Sequence, residues 1–254
     1  MLMTMIGGHW RLLLWTLLVP GLIAADKRDQ PVAPSAKAPR RILTAADFAD
    51  KDIRADYSPA PVTLWVQIHS NLPPHRFELA PAAERGAADA DDVLMGKITV
   101  FREGTAAPVQ TISVWGADPG FFTTGFRMCD VNFDGYLDLV DFHFAGAKWR
   151  SESYWLFEPA SGRFITNKLT AQLGELMYQD IAVNPAKAEI RTSLWIGLCM
   201  KSFEVYRVER GRLVLVESEI HMPEDAHHCK VTRKVRTGRR LVTLPPVRAQ
   251  HPEN

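Results

Sequence analysis

The chain has 254 residues, 46% of them apolar and 23% charged, enough to bury one sizeable hydrophobic core. Lysine and arginine number 30 against 29 acids, so the formal net charge is +1 with histidine neutral. That balance excludes the broad basic excess of a nucleic-acid-binding domain. The one local basic run, Lys230, Arg233, Lys234, Arg236, Arg239 and Arg240, alternates with Val231, Val235 and Val242, as on the solvated face of a hairpin.

At the N-terminus, residues 12–25 (LLLWTLLVPGLIAA) form an apolar run behind Arg11 and end in small residues. The run is too short and too proline-interrupted for a span of about 20 residues, and it has the layout of a secretory signal peptide. Cleavage is expected after Ala24 or Ala25, leaving no membrane segment and a folded part outside the cytoplasm. Residues 26–56 begin rich in Pro, Ala and charge and read as a disordered tether or lead-in, with a short helix or connection over 42–56. A single all-β domain is expected over 57–246 and a disordered tail over 247–254.

From residue 62 onward, short runs of β-branched and aromatic residues alternate with turn signals. The runs are 62–69, 98–101, 111–115, 139–144, 154–157, 164–166, 190–195, 203–208 with 213–217, and 229–235 with 241–244. Compact turns at 158–162, 209–212 and 236–239 join several of them as hairpins. This density of strands predicts an all-β fold of antiparallel hairpins, in a small, five-bladed propeller-like arrangement or, alternatively, a β-sandwich. Residues 169–177 offer a helical candidate that reads equally as a loop, and 71–95, with its Pro-Pro and Ala/Asp-rich patch, reads as a long loop.

The strongest local motif is DVNFDGYLDLVD at 130–141. Oxygen-bearing side chains fall at positions 1, 3, 5, 9 and 12 (Asp130, Asn132, Asp134, Asp138, Asp141), with Gly135 at position 6 for the sharp turn. The carbonyl of Tyr136 supplies position 7. Hard oxygen ligands at this spacing predict an EF-hand-like loop for Ca2+. It lies between two β-runs rather than two helices, which predicts a structural clamp rather than a sensor. The competing reading is an Asp/Asn-rich turn held by its own side-chain hydrogen bonds.

Three cysteines, Cys129, Cys199 and Cys229, allow three pairings in an oxidising compartment. Cys199 and Cys229 bracket one hairpin and are the expected disulfide, leaving Cys129 over. His221, His227, His228 and Cys229 match no closed zinc spacing and read as a polar loop. No nucleophile elbow, metalloprotease or phosphate-cradling motif occurs, so the chain is not expected to be an enzyme.

The string DVNFDGYLDL at 130–139, followed by Tyr154-Trp-Leu-Phe and by Ser161-Gly-Arg-Phe164, resembles a family of periplasmic bacterial immunity proteins. These neutralise peptidoglycan-hydrolase toxins delivered between competing bacteria and are related to periplasmic inhibitors of i-type lysozyme. The resemblance covers about residues 98–215 and implies a propeller-like all-β fold, a calcium site and a periplasmic location. It implies a lysozyme-like peptidoglycan hydrolase as protein partner. In the related inhibitors a Ser-Gly-x-Tyr loop enters the enzyme's cleft; the matching residues are Ser161, Gly162, Arg163 and Phe164. Phe164 stands where that pattern has tyrosine, so Arg163 is the residue able to pair with a catalytic acid. Two other classes remain as alternatives: a calcium-rigidified envelope binding or adhesion module, and a secreted carbohydrate-active enzyme.

Overall fold

The structure is a computed structural model that describes residues 40–48, 53–54, 62–80, 95–115, 125–144, 150–195, 197, 200–225 and 227–250. The segments expected to be a signal peptide and a tether, up to residue 39, and Cys199 lie outside the described residues. No helix among the described residues is long and apolar enough to cross a membrane.

The fold is all-β, with antiparallel strands that pair in chain order. A short helix, α1 (Ala45–Phe48), and a two-residue strand, β1 (Ile53–Arg54), lead in. Asp47 Oδ2 caps the start of α1 by accepting from Thr44 N–H and its hydroxyl at 2.8 and 3.1 Å. Leu43 and Phe48 are buried on either side of it. The first sheet comprises β2 (Val62–Val66), β3 (His75–Ala80), β4 (Met95–Arg102) and β5 (Gln110–Trp115). The second comprises β6 (Gly125–Cys129), β7 (Asp138–Phe144), β8 (Arg150–Glu158) and β9 (Arg163–Ile165), with β1 on the outer side of β6. A helix, α2 (Lys168–Gly174), precedes the third sheet. That sheet runs β10 (Asp180–Asn184), β11 (Glu189–Trp195), β12 (Lys201–Val208), β13 (Leu213–Pro223), β14 (His228–Thr237) and β15 (Arg240–Thr243). A last strand, β16 (Val247–Gln250), also pairs with β14. The described residues thus form three antiparallel sheets, as an all-β fold of hairpins predicts, and their arrangement is consistent with the sandwich alternative.

Alternation along the second sheet explains the packing, because successive side chains point to opposite faces. Phe126, Met128, Leu139, Phe157 and Phe164 face the first sheet and share a core with Val66, Phe77, Ile98 and Val100. Their neighbours Val140, Tyr154 and Leu156 face the other way, onto Leu169 and Leu173 of α2 and Ile190 of the third sheet. The middle sheet is therefore apolar on both faces. α2 is seated by Asn167, whose side-chain oxygen accepts from Leu169 N and Thr170 N, while the Thr170 hydroxyl accepts from Asn167 N. This reciprocal capping box satisfies N–H groups that a helix start leaves without partners.

Three segments depart from the sequence expectation. The stretch 71–95 contains β3, whose residues His75, Phe77 and Leu79 are buried in strict alternation with Arg76 and Glu78. The preceding Pro73-Pro74 masks that period-2 pattern. The tail expected from 247 instead supplies β16. β14 is ten residues long, β15 covers only Lys234–Thr237 of its edge, and Val247 and Ala249 pair with Val231 and Cys229 on the remainder. Covering that edge satisfies backbone groups that would otherwise be left unpaired. The helical candidate at 169–177 is α2, one turn shorter at its C-terminal end.

Candidate metal centre

β6 ends at Cys129 and β7 begins at Asp138, so the acidic motif is the connection between two antiparallel strands. Its backbone turns sharply through two left-handed residues, Phe133 (φ 62°) and Gly135 (φ 93°). A side chain at Gly135 would come no closer than 3.9 Å to the His69 ring, so the glycine is required by φ and not by space.

Three carboxylates organise the turn. Asp130 accepts from Asp134 N at 3.0 Å and from Gly135 N at 2.8 Å. Asp134 accepts from Tyr136 N at 2.9 Å and from the Asn132 side-chain amide at 2.8 Å. Asp138 is fully buried and accepts from Val131 N at 3.0 Å and from Phe157 N at 2.9 Å, tying the loop to β8. The Tyr136 ring stacks on His69 (4.4 Å between centroids) and on Phe157 (5.7 Å). Leu137 N donates to Ile68 O at 3.0 Å.

The electrostatics are unfavourable for so many anions. Burial pushes Asp138 up to about 8 despite its two N–H donors, and the charges of Asp134 and Asp130 push the same way. Asp130 is raised by burial and by Asp134, against the N–H groups of Gly135 and Asp134. A cation would relieve this repulsion. The donor set of Asp130, Asn132, Asp134, Asp138 and the Tyr136 carbonyl is all hard oxygen and fits Ca2+ in kind. Among the described residues, no three His, Cys, Asp or Glu side chains converge as metal ligands, and the oxygens of Asp130, Asp134 and Asp138 accept from backbone N–H groups.

Asp141 does not belong to this set. It lies inside β7, paired with Phe126 and Ser153, three residues beyond Asp138 and so on the opposite face of the strand. A twelve-residue loop would need Asp141 to close it; here the loop has become strand by position 9.

The segment proposed from resemblance to meet a partner is split by burial. β8 and β9 form a hairpin whose turn is closed by Gly162 N donating to Glu158 O at 2.8 Å, with Gly162 at φ 66°. Arg102 braces it by donating to Ser161 O at 3.1 Å. Ser161 and Arg163 are exposed. Phe164 is 2% exposed, packed on Phe77 and Phe157, with its N–H and carbonyl both bonded to the Gln110 side chain at 2.8 Å. Phe164 is a core residue, and an enzyme cleft cannot receive it.

Cys129 is a free thiol that burial pushes up to about 12, against the pull of the Arg127 charge. Cys229 is buried and is a disulfide cysteine, while its expected partner Cys199 lies outside the described residues. Of the histidines in the polar loop, His221 meets Glu219 at 2.6 Å and His228 meets Asp225 at 2.8 Å, while His227 donates only its backbone N–H to Asp225.

One cluster has no local signature in the sequence. Glu152, 3% exposed, accepts from Arg127 at 2.6 Å and from the Tyr154 hydroxyl at 2.6 Å, and Tyr154 meets the Tyr178 hydroxyl at 2.9 Å. Burial opposes the Arg127 charge, but Glu152 holds it above its ordinary range, while burial and Glu152 raise both tyrosines. These residues come from β6, β8 and the approach to β10, and only the packing brings them together.

The fold and the loop thus define an all-β protein built of meander sheets with an acidic turn between two strands. No protein-family model matches the chain, and no curated protein sequence matches it. Among solved structures it is similar to one described as a Xanthomonas type IV secretion system related protein. The identity is 14% and the TM-score 0.53, over 77% of this chain and 100% of that one. At that identity the likeness is one of fold.

Proposed function

We propose that this chain is an exported, periplasmic, calcium-stabilised protein that inhibits a lysozyme-like peptidoglycan hydrolase, and that it is not itself an enzyme. The observation that carries the reading is the direct link between the acidic loop and the β8–β9 hairpin. Asp138 accepts from Phe157 N, and Tyr136 stacks on the Phe157 ring, one residue before the strand reaches its turn. Calcium held by Asp130, Asn132, Asp134, Asp138 and the Tyr136 carbonyl would neutralise the crowded carboxylates and stiffen that link. The exposed turn would then present Ser161 and Arg163 as a rigid edge, at little entropic cost on binding. Arg163 offers a guanidinium for a catalytic carboxylate, and the body of the hairpin occludes the cleft. The resemblance of the 130–139 and 161–164 strings to periplasmic immunity proteins supports the partner class. A fold shared with a protein related to a bacterial secretion system is in keeping with a role at the envelope.

The test is loss of turbidity of purified cell wall under a panel of lysozyme-type hydrolases, with the protein from Asp26 onward added in calcium and then in chelator. Inhibition of one hydrolase class is expected. Replacing Ser161 and Arg163 together with Ala should weaken that inhibition by about tenfold or more, as for a charged pair at an interface. Undiminished hydrolysis across the panel would remove the inhibitor reading.

A further inference from the structure

Two hairpin tips of the third sheet lie side by side. The β12–β13 turn is a two-residue connection, with Glu209 N to Arg212 O at 2.9 Å and Arg212 N to Glu209 O at 3.2 Å. Its central residues, Arg210 (φ 53°) and Gly211 (φ 69°), are both left-handed. Such turns favour Asn or Gly at the first position, and here an arginine occupies it. The β14–β15 turn is closed by the pair Thr237 and Arg240 and carries Gly238 and Arg239 at its tip.

Between the tips is an open cleft of about 780 Å³ whose wall includes Arg210, Arg212, Arg236 and Arg239 against a single acid, Glu209. Arg236 is fixed in place, donating to Gly238 O at 2.9 Å and lying 3.6 Å from Glu209. Among the described residues, the guanidinium groups of Arg210, Arg212 and Arg239 have no ion-pair partner. A surface meant only to be solvated would intersperse both signs of charge, as on the open face of this sheet, where Arg233 meets Glu219 and Arg207 meets Glu189.

We infer that this cleft is a binding site for a phosphate group, on a ligand carrying at least two negative charges. Planar guanidinium forks match tetrahedral phosphate oxygens two at a time, and several of them on the wall of one cleft need a multiply charged anion to offset their charge. A single carboxylate would leave most of the repulsion in place. The site is built from the third sheet alone and does not depend on the acidic loop or on the β8–β9 turn.

The probes are pyrophosphate, followed by titration calorimetry at low salt, and phosphatidylcholine vesicles containing phosphatidic acid, followed by co-sedimentation. The variant R212Q/R239Q removes two forks. The variant K97Q/K187Q makes the same charge change at exposed positions elsewhere, and the melting temperature of each shows that it is folded. Saturable pyrophosphate binding that falls by about tenfold or more in R212Q/R239Q, and by less than about twofold in K97Q/K187Q, supports the site with a soluble ligand. Vesicle capture lost only in R212Q/R239Q, without pyrophosphate binding, supports it with a lipid headgroup as the source. Binding of neither probe, or equal loss in the two variants, overturns it.

Discussion

Asp138 shows how much one residue can do in this fold. It is fully buried, accepts from two backbone N–H groups on different elements, and shares its surroundings with Asp130 and Asp134. Its folded value near 8 stands above the ordinary 3.8, so ionising it is unfavourable in the folded state. In the metal-free protein, stability therefore falls as pH rises from about 4 towards 8 on account of this group. Calcium bound at the loop, as proposed above, would offset that loss, because it would stabilise the ionised form. The expected result is a melting temperature that rises with calcium, by an increment that grows between pH 5 and about 8 and then levels off. Replacing Asp130 and Asp134 with Ala should abolish the increment. It should also lower the metal-free melting temperature, because Gly135 N, Asp134 N and Tyr136 N lose their acceptors. Identical melting of the native protein in calcium and in chelator would end the assignment of the loop to a metal.

At the scale of elements, polar contacts tie together strands of one sheet that are not direct neighbours. Arg127 on β6 and Glu152 on β8 form a pair that is 15% and 1% exposed at the side chains, extended by Tyr154 and Tyr178. Removing one member leaves a buried charge without its partner, so Arg127→Ala should cost about 3–5 kcal/mol in chemical denaturation. Replacing the Arg127–Glu152 pair together with apolar residues of similar volume should cost much less, or nothing. Equal losses in the single and the paired variants would show that packing, and not charge, is what the cluster provides. Helix α2 is marked in the sequence by Asn167 and Thr170 at capping-box spacing and by Leu169 and Leu173 four apart, whereas the arginine cluster has no spacing at all.

Over the whole molecule, the second sheet serves two cores at once. Leu139 belongs to the core shared with the first sheet, and Leu156 to the core shared with α2 and the third. Each Leu→Ala substitution should cost about 2–5 kcal/mol, and both should displace one common unfolding transition. Separate transitions in the two variants would mean that the cores unfold independently. The β2–β3 connection also contacts the acidic loop, through Ile68 and His69, and the first sheet contacts the β8–β9 hairpin, through Arg102 and Gln110.

The sequence by itself determined the class of the fold and the position of the acidic turn, since period-2 runs, hairpin turns and Asp-x-Asn-x-Asp-Gly are local patterns read within a few residues. It also marked 158–162 as a turn and 169–177 as a helical candidate. Tertiary structure decided which of those residues are available. Phe164 is assigned to the core by Phe77 and Phe157, and Asp141 is carried to the far face of β7 by strand alternation, and neither fact is visible from spacing alone. The same holds for β16, which exists because β14 has an edge left to cover, and for the arginine cleft, where two turns some 27 residues apart meet. Local propensity is written along the chain; burial and convergence depend on partners distant in it, and only the packed sheets supply them.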